Sequence, residues 1–216
     1  MLVSIIITNF NYGKYLKSCL NSCFNQSFSN KKYEVILVDD CSSDHSIHVA
    51  RKYLKKKNFN FIENKQNIGV AASSNIGILN SKGDFFVRVD SDDCIEKDFI
   101  KFLYNYIIKK PKILGVTSDY YYFDNKGNKI DRIKYRKKPI SCGVMYNKKK
   151  LLNLGLYNNK FKHREEEELR KRLGRQYILD NLEVPLYNYR MHSKNKTKLK
   201  SSMESYRIKL SKLLGK

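Results

Sequence analysis

Apolar residues in the first half of the chain switch between two spacings. Residues 3–8 form an almost unbroken apolar run, the pattern of a strand covered on both faces. Leu16, Cys19, Leu20, Cys23 and Phe24 then recur at helical spacing within 15–24. The pattern repeats: a strand over 34–38 and a helix over 46–56 capped by Ser43 or Asp44, then a strand over 59–62 and a helix over 70–80, then a strand over 84–89 and a helix over 97–108. Repeated strand–helix alternation predicts an α/β fold in which right-handed crossovers join parallel strands into a Rossmann-like, helix-flanked sheet.

The second half changes character. Residues 114–123 and 129–135, separated by a polar turn at 124–128, read as a β-hairpin. A strand over 141–146 and a helix over 148–154 closed by Gly155 follow. Next come a helix over 165–173 stopped by Gly174 and strands over 177–182 and 186–191. The last element is a basic amphipathic helix over 199–214. No linker or repeat interrupts this order, so residues 1–197 are expected to form one domain and 198–216 a helical tail.

In parallel α/β sheets, ligands collect at the carboxyl ends of the strands. Polar clusters fall at those ends: 8–11, 39–44, 64–69 and 90–93. Asp90, Asp92 and Asp93 repel one another unless something positive neutralises them. Carboxylates spaced this way suit a hard divalent cation with oxygen preference, Mg2+ or Mn2+. Such an ion would also counter the charge of a departing diphosphate. A carboxylate at Asp39-Asp40 can accept from the imide N–H of uracil or thymine, and Phe10 can stack on a base.

Charge adds one fact and composition excludes several classes. The net charge of +22 attracts phosphates, nucleic acid or anionic lipid. With 41% hydrophobic and 30% charged residues, the composition is that of a globular chain, and no run approaches a membrane span. The first residues lack a basic n-region and a cleavage site, so they read as a strand and not a signal peptide. The five cysteines show no metal-ligand spacing, which fits a reducing cytosol.

Taken in order, the motifs resemble glycosyltransferase family 2. They are 3–11, Tyr15-Leu16, 26–28, 38–44, 67–71 with 75–77, 89–93, 143–146, 155–157 and 189–192, and the resemblance covers nearly all of 3–195. It implies a GT-A fold and inversion at the anomeric carbon. It also implies a nucleotide-sugar donor, most simply a UDP-sugar, and a glycan or lipid-linked acceptor in surface polysaccharide synthesis. By that similarity Thr8, Phe10, Asn11, Asp40, Asn67 and Gly69 line the nucleotide site. Asp90 and Ser91 face the ribose, and Asp92, Asp93 and His192 bind Mn2+ or Mg2+. The family's general base aligns with Glu166, with Glu165 and Glu167 as alternatives. Glu replaces the usual Asp there. Ser74 stands where relatives carry a basic residue, so the charge for the diphosphate is expected from Lys65, Arg88 or Arg190.

Other classes fit less well. A nucleotidyltransferase would need a Gly-rich, Arg-containing loop after the first strand, and residues 8–15 hold one Gly and no Arg. A nucleic-acid binder would explain +22 but not the acidic strand ends. The basic tail suits peripheral contact with an anionic membrane from the cytoplasmic side, or a helix packed on the domain.

Overall fold

The computed structural model describes residues 2–161, 164–193, 195, 208 and 211. Every residue of Val3–Asn9 (β1) and Tyr33–Asp39 (β2) is buried, as the unbroken apolar runs require. Phe59–Glu63 (β3) lies beside β2 and Phe85–Asp90 (β4) beside β1, all in parallel. Three helices join these strands: Gly13–Phe24 (α1), Ser46–Arg51 (α2) and Val70–Leu79 (α3). α1 buries Leu16, Cys19, Leu20 and Cys23, the helical stripe visible in the sequence. α3 sits unusually close to the sheet. A Cβ on Gly77 would approach Ile6 Cγ2 to 2.5 Å, so only glycine fits there.

The remaining elements extend the same sheet. They are Cys94–Ile95 (β5), Phe99–Ile107 (α4), Gly115–Phe123 (β6), Lys129–Ile133 (β7), Met145–Asn147 (β8), Lys148–Leu154 (α5), Glu165–Leu173 (α6) and Leu179–Arg190 (β9). The strand order is β3-β2-β1-β4-β8-β6-β9-β5, with β7 paired to β6. The β8 ladders to β4 and β6 are antiparallel, as are β5–β9 and β6–β7. The longest ladders are parallel, including β6 with β9. The result is the mostly parallel, helix-flanked sheet that the alternation predicts.

Four expectations change. The strands expected over 177–182 and 186–191 are one strand, β9, carried past Pro185 by register shifts around Asp119. A bulge absorbs the missing N–H of proline, which sequence pattern alone reads as a break. The strand expected over 141–146 shrinks to β8. The helix expected to reach residue 56 ends at Arg51 and continues as turns. The two-residue β5, not foreseen, ties the 90–93 loop to β9. The basic helix expected in the 198–216 tail lies outside the described residues, except for Ile208 and Ser211, which are helical.

Candidate active site

The carboxyl ends of β1, β2 and β4 open into a cleft of about 720 Å³, a size that suits a small-molecule ligand. Its walls include Thr8, Phe10, Asp40, Asn67, Gly69, Asp90, Ser91, Asp92 and Glu166. Asn11, Asp93 and His192 do not line it.

Asp39 and Asp40 divide their work. Asp39 is buried and accepts from Asn9 Nδ2 at 2.7 Å and from the amide and hydroxyl of Ser42 at 2.8 Å, closing the loop after β2. Asp40 reaches the other way. Its Oδ1 accepts from Asn64 Nδ2 and the Ile68 amide at 2.9 Å, and its Oδ2 from the Gly69 amide at 2.8 Å. This anchors the 64–69 loop as the cleft wall. A carboxylate offers about four lone-pair sites, so Asp40 Oδ2 keeps one for a ligand. Gly69 turns the chain into α3 with φ of 89°, a conformation that favours glycine.

Asn11 supports the cleft from outside. Its Oδ1 accepts from the Ser43 amide at 2.8 Å, and its own amide donates to Ser42 Oγ at 2.9 Å. Asn11, Cys41 and Arg164 are the non-glycine residues with positive φ among those described. Each adjoins a cleft residue: Phe10, Asp40 and Glu165 in turn. Such backbone strain, of order 1–3 kcal/mol per residue, concentrates where a chain is held for function.

The loop after β4 gathers three carboxylates. Asp92 Oδ2 lies 2.9 Å from His192 Nε2, and the His192 ring stacks on Tyr15 at 4.9 Å. Asp93 turns inward: Tyr187 Oη donates to its Oδ2 at 2.7 Å and the Arg190 amide to its Oδ1 at 2.8 Å. Burial pushes the Asp93 carboxyl well above its ordinary range, and the charges of Asp92 and Asp90 add to this. Tyr12 is pushed up too, by burial and then by Asp92 and Asp90. Negative potential is therefore concentrated on this rim.

Two donor sets could meet a cation. Asp92 and His192 offer oxygen and imidazole nitrogen, which suit Mn2+. Asp90, Asp93 and Cys142 have ligand atoms within 4.8 Å of one another. Cys142 is a buried thiol pushed well up by burial and then by Asp90 and Asp93, so it stays protonated and is a poor ligand for a hard ion. The Asp92–His192 pair fits better.

The four glutamates of α6 fan out as helix geometry requires. Glu165 meets Arg88 Nη1 at 2.7 Å; Glu167 pairs with Arg164 and Lys171; Glu168 accepts from Arg172 Nε at 2.8 Å. Glu165, Glu166 and Glu167 all line the cleft, but of the four only Glu166 forms no ion pair among the described residues. Its Oε1 accepts from Tyr146 Oη and Tyr177 Oη, while its Oε2 is buried with no hydrogen-bond partner among the described residues. Burial raises the Glu166 pKa above its ordinary value of 4.5, against the lowering effects of Tyr146, Tyr177, Arg88 and Tyr157. A buried carboxylate of raised proton affinity suits general-base work.

The cations expected for a diphosphate are otherwise engaged. Arg88 is held by Glu165, by Asp90 at 3.4 Å and by the Ser141 carbonyl at 3.0 Å. Arg190 donates to the Asp92 carbonyl at 2.6 Å and lies 4.2 Å from the Phe123 ring centre. Lys65 is exposed and off the cleft wall. The basic wall residues that sequence reading missed are Arg164 and Arg170. Arg170 stands one helical turn after Glu166 and forms no ion pair among the described residues. That i, i+4 spacing was the available signal. Tyr177 and Tyr146 left none, because their approach to Glu166 is set by tertiary packing.

Known proteins resemble this chain in sequence and in fold. The family model of Glycosyl transferase family 2 matches residues 4–178. Glycosyltransferase GlyG of Streptococcus pneumoniae is 33% identical over 128 residues, covering 59% of this chain and 42% of GlyG. The crystal structure of residues 1–349 of Staphylococcus aureus TarS in complex with UDP-GlcNAc superposes with a TM-score of 0.77 at 22% identity, over 90% of this chain and 60% of that one. A Pyrobaculum calidifontis mannosyltransferase in complex with GDP-Man and Mn2+ gives a TM-score of 0.71 at 15% identity, over 89% of this chain and 58% of that one. The chain thus spans less than two thirds of each of these relatives.

Proposed function

Because the chain belongs to glycosyl transferase family 2, we propose that its cleft binds a nucleotide-diphosphate sugar, most simply a UDP-sugar, and transfers the sugar with inversion to an acceptor hydroxyl. One observation carries the reading. A single cleft has Asp40 after β2, Asp90 and Asp92 after β4, and Glu166 on α6 in its walls. The fold class is shared with TarS bound to UDP-GlcNAc, which supports a uridine donor.

In this reading Thr8, Phe10, Asp40, Asn67 and Gly69 hold the base, with the free lone pair of Asp40 taking the imide N–H. Asp90 and Ser91 face the ribose. Asp92 and His192 would hold Mn2+ or Mg2+, and Asp93, fixed by Tyr187 and Arg190, keeps their loop in place. When bound, the ion supplies positive charge to the departing diphosphate. Glu166 takes the acceptor hydroxyl's proton as the new bond to the anomeric carbon forms and the bond to the diphosphate breaks. The acceptor is a hydroxyl of a glycan or lipid-linked chain, as surface polysaccharide synthesis supplies. Among the described residues no helix is long and apolar enough to cross a membrane. Contact with anionic lipid would come from the basic tail, and truncation after Thr197 should abolish binding to anionic vesicles.

A thermal-shift panel tests the core of this. UDP and UDP-GlcNAc should raise Tm with Mn2+ present and much less without it. Protection by polynucleotide, with none by any nucleotide sugar, would overturn the assignment in favour of a nucleic-acid binder.

A further inference from the structure

Two phenols meet the carboxylate that this reading makes the base. Tyr146, on β8, is fully buried, and Tyr177 sits at the end of the single 3-10 turn Gly174–Gln176 that follows α6. Both hydroxyls reach Glu166 Oε1, and they lie 2.7 Å from each other. Each phenol has one proton to give. With Glu166 ionised, both protons go to Oε1, the only charged oxygen of the three. Oε2 has no partner at hydrogen-bond geometry among the described residues, and neither has the hydroxyl of Tyr157, a third buried phenol whose influence on the Glu166 carboxyl is weaker than that of Tyr146 and Tyr177.

We infer that Tyr146 and Tyr177 are positioning residues that clamp Glu166 by Oε1 and so fix Oε2 as the atom that accepts the acceptor's proton. The inference rests on Glu166 being the base. The clamp has two effects. It settles the rotation of the carboxyl group, so that the unshared oxygen is held in one place. It also stabilises the ionised form against burial, which by itself would leave the group protonated over more of the neutral range. No hydrogen bond must break when the proton arrives. The Oε1 of a neutral acid still accepts from both phenols, so the environment is arranged before the reaction.

The test uses the full chain labelled with glutamate carrying 13C at the side-chain carboxyl carbon. The Glu166 resonance is identified by its disappearance in Glu166→Gln. Its titration is then followed in Tyr177→Phe and Tyr146→Phe. Loss of one donor to a charged group should move the midpoint up by about one pH unit or more. The acid limb of UDP release from UDP-GlcNAc should move the same way, with KM for the donor unchanged. Because Tyr146 is fully buried, Tyr177→Phe is the decisive variant if Tyr146→Phe fails to fold. Unmoved midpoints in folded variants would overturn the clamp. Normal UDP release by Glu166→Gln would instead overturn the base assignment, whatever the midpoints do.

Discussion

Arg88 offers the sharpest quantitative test of how the site is held together. It is a buried guanidinium on β4 whose partner, Glu165 on α6, is buried as well, at 3% and 6% side-chain exposure. Arg88→Met would leave Glu165 as an uncompensated buried charge, a change that costs about 3–5 kcal/mol. The contact with Asp90 adds little, because that carboxylate is one third exposed and screened by water. The Ser141 carbonyl loses its donor, about 1 kcal/mol. The expected total is therefore about 5 kcal/mol, a large share of the roughly 5–15 kcal/mol that stabilises a domain. Glu165→Met should cost somewhat less, about 3 kcal/mol, since Asp90 still faces the arginine. Replacing both removes the charge problem, so the double variant should lose about 2–3 kcal/mol rather than the sum of about 8. Urea unfolding at pH 7 measures all three. Additivity within about 0.5 kcal/mol would refute the pairing. UDP binding gives a second check. If Arg88 serves Glu165, the double variant still shows Mn2+-dependent protection by UDP; if Arg88 holds the diphosphate, it does not.

Three further outcomes follow from the site. Asp92→Asn should abolish the Mn2+-dependent part of the UDP thermal shift, because an amide carries no charge to hold the ion. Asp40→Asn should lose about 2 kcal/mol in urea unfolding, since its amide nitrogen would face one of three donors, and UDP protection should fall with it. Glu166→Gln should bind UDP normally but lose turnover. It should also flatten the pH dependence of stability: a carboxyl with a raised folded pKa contributes stability below its ordinary value of 4.5 that is lost as pH rises through the folded value, and calorimetry across that window reads the difference.

Local pattern accounts for much of the fold and of the site. The buried strands, the helical stripe of α1 and the polar strand ends all follow from period and composition, and strand ends in parallel sheets converge by topology. What pattern could not carry was long-range pairing. Nothing near residues 141–147 says that β8 runs against both β4 and β6. Pro185 hides the continuity of β9, because the compensating bulge depends on its partner strand. The four glutamates of α6 look alike in sequence, and only their neighbours from other elements tell them apart. Arg88 and Arg190 read as free cations for the same reason: the Glu165 carboxylate and the Ser141 and Asp92 carbonyls that engage them are remote in sequence.

The dependence of the 90–93 loop on β9 has a consequence for biosynthesis. Asp93 takes its hydrogen bond from the Arg190 amide 97 residues on, and Asp92 meets His192 100 residues on. Chains emerge from the ribosome amino end first. A nascent chain that has completed β1 to β4 still lacks the groups that restrain its acidic rim. If the cleft binds a nucleotide-sugar donor as proposed, the metal-dependent part of that binding should arrive only when β9 docks, and a stalled or clipped polypeptide ending before β9 should lack it.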